Sequence, residues 1–167
     1  MNMKKTIRAI ILTAAVIIIA GLSSVSAKAA DLSVVNSVML NDINSLRASQ
    51  GVGSLTTDAS LSVIAATRAA EASTTWSHTR PNGSQGVDMI QGNKWKGENL
   101  SYVIYPQFGF SAAEQQAAAD VMYNNLVASP SHYSNMVFGS FTKIGIATAT
   151  IETSEGTRIT TAYMFSN

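Results

Sequence analysis

Two imidazoles and one carboxylate are the side chains of this sequence best suited to chemistry. His78 and His132 are its only histidines. Each lies in a short run of small polar and turn-forming residues: Trp76 to Ser84 reads W-S-H-T-R-P-N-G-S, and Ala128 to Met136 reads A-S-P-S-H-Y-S-N-M. A third polar run, K-G-E-N-L from Lys96 to Leu100, lies between them and carries Glu98. Brought into one cleft, two neutral imidazoles and a carboxylate suit divalent-metal binding or proton transfer, because imidazole takes a metal or exchanges a proton near neutral pH. His78 and His132 are the candidate metal ligands. Glu98 is the expected catalytic group, either completing a two-histidine, one-carboxylate set or serving as a general base. The blander alternatives are two unrelated surface histidines and a strand-start carboxylate that caps nearby backbone N–H groups.

Other chemistries have less behind them. Ser129, Ser131 and Ser134 surround His132 and Ser77 precedes His78. No G-x-S-x-G elbow accompanies them, and neighbours in sequence rarely serve each other as nucleophile and base. Cysteine is absent, which removes thiol nucleophiles and disulfides together, so stability must come from packing. No H-E-x-x-H helix is present to mark a metallopeptidase. Tyr102, Tyr105, Phe108, Phe110 and Tyr133 could line a groove for an apolar or sugar partner, or anchor core and loops.

The elements that must position these groups follow from periodicity. Val35, Val38, Met39, Ile43 and Leu46 fall at helical spacing, predicting a first helix from Ser33 to Gln50 that stops at Gly51 and Gly53. Asp58 precedes a second stripe, Leu61, Ile64, Ala65, Ala69 and Ala72, as an N-terminal cap for a helix ending near Ser73. Arg80-Pro81-Asn82-Gly83-Ser84 is turn chemistry. A short helix is expected at Val87 to Ile90, then extended chain through Glu98. Ser111 and Glu114 form a capping-box pattern for a third helix, Ala112 to Val127, which Ser129-Pro130 ends, placing His132 just beyond its terminus. Thr142 to Ile151 and Arg158 to Phe165, joined by Thr153-Ser154-Glu155-Gly156, read as a β-hairpin. Helices first and antiparallel strands last argue for an α+β layered domain rather than a parallel βαβ sheet.

Charge and hydropathy bound the setting. Lys4, Lys5 and Arg8, then an apolar run from Ala9 to Leu22, then small residues offering cleavage after Ala27 or Ala29, have the layout of a secretory signal peptide over residues 1–30. Residues 31–167 are then one domain of a protein exported from the cell. Seven scattered basic residues against ten acids leave that domain at about −3, although the whole sequence is +1. Such a surface has no cationic stripe for phosphates, so nucleic acid is not an expected partner. No second apolar run of bilayer length occurs, so no membrane is expected after signal cleavage.

Six segments occur together in an order that resembles a known family. They are Asn44-Ser45-Leu46-Arg47, then Gly51, Leu55, Leu61 and Ala65, then Ser77-His78-Thr79-Arg80-Pro81, Gly97-Glu98-Asn99-Leu100, Ser129-Pro130-Ser131-His132 and Ile144-Gly145-Ile146. Over residues 36 to 166 the sequence is similar to bacterial secreted proteins with a CAP domain. This superfamily is also called SCP and includes cysteine-rich secretory proteins, antigen 5 and plant pathogenesis-related proteins. The resemblance implies a three-layer α-β-α sandwich with a central antiparallel sheet and a large cleft. His78, Glu98 and His132 would meet in that cleft and bind a divalent metal such as zinc. Ser129 stands where eukaryotic members carry a second glutamate, and Leu126 where a tryptophan is common. The functions the resemblance implies are binding of an extracellular ligand, whether lipid, peptide or a cell-wall or host component; metal-dependent hydrolysis; or interaction through the surface with a vestigial cleft.

Overall fold

The computed structural model of the protein describes residues 31–167. The expected signal segment and its cleavage sites lie outside the described residues. Helix α1, Ser33–Ser49, buries Val35, Met39, Ile43 and Arg47, one residue per turn along a single stripe. The strand β1, Thr56–Thr57, follows, then helix α2, Ala59–Thr74. Asp58 caps α2 as expected, its Oδ1 accepting the Leu61 N–H at 3.0 Å. A 3₁₀ turn at Gly86–Met89 leads to β2, Lys96–Tyr105. Helix α3, Ala112–Ala128, opens on the reciprocal Ser111 and Glu114 capping box. Helix α4, Pro130–Met136, precedes the hairpin of β3, Lys143–Thr153, and β4, Gly156–Ser166.

The sheet runs β1-β3-β4-β2. Its long strands pair antiparallel, Glu98 opposite Met164 and Gly145 opposite Met164 from the other side. β1 joins the edge in parallel. β4 is central, and its side chains alternate between two cores. Ile159, Tyr163 and Phe165 face α1, α3 and α4, packing with Met39, Ile43, Met122, Leu126 and Met136. Ala162 and Met164 face α2, packing with Leu61, Ala65, Ala69 and Ala72. This is the α-β-α sandwich that the sequence led us to expect.

Two polar devices set its geometry. Asn44 locks α1 to the next segment, donating to the Leu55 carbonyl at 3.1 Å and accepting the Leu55 N–H at 2.8 Å. Arg47 is buried at the foot of the apolar stripe, where its guanidinium donates to the carbonyls of Gly53, Met136, Phe138 and Phe141. These bonds replace the water a buried cation loses, and they fix the exit of α4 beside α1.

Three boundaries differ from the sequence expectation. His132 lies within α4 rather than in irregular chain, because Pro130 both ends α3 and occupies the first turn of a new helix, where its missing N–H costs nothing. β2 runs on past Glu98 to Tyr105. β1 is too short to leave a periodic signal.

Candidate functional site

Glu98 is a buried carboxylate on the sheet face that packs against α2, and its partners define the site. The Nε of Arg68 donates to Oε2 at 2.7 Å and Nη2 to Oε1 at 3.3 Å. Nδ1 of His78 stands 2.7 Å from Oε1. Arg68 also donates to the Ser77 carbonyl at 2.8 Å and to Glu71, and Arg80 makes three more hydrogen bonds to Glu71. Arg80, then Arg68, hold the Glu71 carboxyl below its ordinary range. Two guanidinium groups thus neutralise two carboxylates, which is how buried charge is tolerated.

Four residues of the K-G-E-N-L run have separate packing roles. Gly97 lies against the Phe141 ring, where a Cβ would sit 2.9 Å from Cζ. Glu98 faces α2 and His78. Asn99 points to the opposite face, donating to the His132 carbonyl at 2.9 Å and accepting from Asn135 at 2.8 Å. Leu100 returns to the α2 core. Consecutive residues of one strand therefore hold the two histidine segments from opposite faces, because strand side chains alternate. Gly86 completes the frame: it donates to the His78 carbonyl at 2.9 Å, and a Cβ there would collide with Glu98 Oε2.

The structure brings all three expected residues together. The rings of His78 and His132 have centroids 6.5 Å apart. The His78 side chain is about half exposed, at 54%. The His132 pKa lies below the ordinary imidazole value, through burial and then the neighbouring His78, so His132 is a neutral nitrogen donor at pH 7. A zinc fit is partial. Ring centres of two imidazoles on one tetrahedral zinc lie roughly 5 Å apart, given bonds of about 2.0–2.1 Å, so these rings must close by more than about 1 Å. Among the described residues no group of three or more His, Asp or Glu forms a ready metal cage. Two imidazoles can supply half of a tetrahedral set, with the rest open to water or ligand.

Arg68 and Glu71 escaped the sequence reading, yet Arg68 left a signal. It falls on the buried face of α2 between Ala65 and Ala72, and a charge on an apolar stripe implies a buried partner. Of the aromatics considered for a groove, Tyr105, Phe108 and Phe110 pack against the α1 core. Tyr102 instead joins Trp76, Asn125, Leu126, Ser129 and His132 around an open groove of about 220 Å³ beside the histidines.

The fold matches an outer surface protein from Borrelia burgdorferi at a TM-score of 0.64 and 19% identity, covering 84% of this chain and 97% of that one. It matches an extracellular SCP-domain protein from Bacillus anthracis at 0.57 and 17%, covering 79% of this chain and 41% of that one. A structure of NaASP2 with Zn2+ matches at 0.51 and 15%, covering 83% and 82%. A search of the curated proteins finds no match. The family model for CAP, the cysteine-rich secretory protein family, matches residues 40–164. The span of that match takes in α2, β2, α4 and both histidines, and the chain belongs to the CAP family.

Proposed function

We infer that the protein is a secreted, extracellular CAP-domain binding module. Its cleft holds a divalent ion, zinc foremost, through His78 and His132, and offers the open coordination positions to an extracellular ligand. The observation that carries this is the bond between His78 Nδ1 and a carboxylate that Arg68 fixes. A metal-binding imidazole characteristically gives its other N–H to such an acceptor, which sets the tautomer and leaves Nε2 as the donor. Glu98 accordingly serves as a positioning residue for His78 rather than as a base, since both its oxygens are engaged. The Zn2+ described with NaASP2, and the outer-surface and extracellular descriptions of two fold relatives, support ion and location. The absence of a second glutamate at Ser129 favours binding over hydrolysis.

Zinc titrated calorimetrically into residues 31–167 at pH 7.5 is expected to bind one ion per chain. Affinity should fall at least a hundredfold in His78→Ala with His132→Ala. Binding that the double substitution leaves unchanged would place zinc elsewhere, and no binding at all would remove the metal from the account.

A further inference from the structure

Among the described residues, Arg158 is a partly buried guanidinium whose donors are not spent. Arg47 and Arg68 each donate to several oxygens. Arg158, on β4 opposite Ile104, makes neither a hydrogen bond nor an ion pair among the described residues, and its Nε is enclosed without an acceptor. What holds it is aromatic: its guanidinium carbon stands 4.0 Å from the Tyr102 ring centroid and 5.5 Å from that of Trp76. The two rings meet edge to face, with centroids 4.7 Å apart. Cation–π attraction orients the guanidinium but uses none of its five N–H donors. Nε is shut off from any ligand, but the two Nη groups also make no hydrogen bond among the described residues and are not enclosed, so they are the donors a ligand acceptor can reach.

Trp76 and Tyr102 are 45% and 40% exposed, unusual for large rings that also line a groove. The groove continues from them past Asn125, whose amide is free of hydrogen bonds among the described residues, and Ser129 to His132. At about 220 Å³ it is smaller than the roughly 300–1,000 Å³ of drug-sized sites, which suits a single ring. A cation packed on two aromatic rings that line the groove, with an amide and a hydroxyl also in that lining, matches one ligand chemistry. A pyranose lays its weakly positive C–H face on the negative face of an aromatic ring, its hydroxyls meet Asn125 and Ser129, and a carboxylate takes the guanidinium edge in a paired hydrogen bond. An extended peptide would instead pair with the backbone of the β2 edge, leaving the stack and Arg158 uncovered.

The geometry points to a site for a carboxylate-bearing pyranose on the Trp76–Tyr102–Arg158 stack and the adjoining groove. It rests on the cleft being a ligand site, but not on a metal at the histidines. N-acetylglucosaminyl-N-acetylmuramic acid and chitobiose make a matched pair of probes, differing by one lactyl carboxylate. Each is titrated into residues 31–167 with chelator present, following the Trp76 indole N–H and the amides of residues 100–102 and 129–132 by NMR. A failed zinc titration therefore leaves this outcome untouched. The acidic disaccharide is expected to bind at least tenfold more tightly than chitobiose. Arg158→Gln should erase that preference, and Trp76→Ala should abolish both interactions, the same spectra reporting that each variant is folded. Equal affinity for the two sugars, no shift with either, an undiminished preference in Arg158→Gln, or an acidic tripeptide binding as tightly as the disaccharide would each overturn the assignment.

Discussion

A carboxylate taken out of water needs a cation and hydrogen bonds, and Glu98 finds both in Arg68. That pair is buried, and Glu98 orients the half-exposed His78 ring through its bond to Nδ1. Gly86 is the sensitive point. A methyl at Gly86 would collide with Glu98 and with Arg68 Nε at 2.5 Å, and must displace the pair without touching either histidine. Gly86→Ala should therefore weaken zinc binding about 10- to 100-fold, measured by calorimetry, while far-ultraviolet circular dichroism stays native. His132 gives a pH dependence whose sign is fixed. Its pKa in the folded protein is depressed by burial and by His78, so as pH falls through about 6.5 the unfolded chain takes up a proton first. Stability should decline from pH 7.5 toward pH 5, and His132→Gln should show less of that decline in thermal melts. Zinc binding should weaken in the same direction, since protons compete for the nitrogen.

At the scale of elements, α2 approaches the sheet closely because both surfaces are small. Ala65, Ala69 and Ala72 meet Ala162, Ala147 and Ala149, and Gly145 faces the helix backbone itself, where a Cβ would collide with the Leu61 carbonyl carbon. Backbone cannot rotate aside as a side chain can. Gly145→Ala should cost about 3 kcal/mol or more, the upper end for overpacking, lowering the melting temperature by about 10 °C and loosening Arg68 with the helix that carries it. Elements with many periodic residues were legible in the sequence: α1, α2, α3 and the hairpin lie within a few residues of their expected bounds. α4 was not, since seven residues with a leading proline read equally as a stop. Both histidines were legible as candidates because they are the only imidazoles of the sequence and each lies in a polar run beside a helix end. Arg68 marks itself only as one charge on an alanine-rich stripe, and the sequence does not say which distant carboxylate it meets.

For the whole molecule, the cleft exists because four elements end beside one strand. α2 supplies Arg68, the segment after it His78, β2 Glu98 and α4 His132, while Arg47 and Asn99 tie α4 in place from behind. No disulfide takes part, so packing of the two cores holds the histidines where they are. Among the described residues no helix is long and apolar enough to cross a membrane. In the proposed site Glu98 holds His78 so that the two histidines share one ion. Long-range proton–nitrogen NMR of the imidazoles during zinc addition tests it most directly. Zinc should shift the Nε2 resonance of His78 and one ring nitrogen of His132 together, saturating at one equivalent, while His78 Nδ1 keeps its proton on Glu98. Movement of only one ring, or loss of the Nδ1 proton on binding, would contradict it.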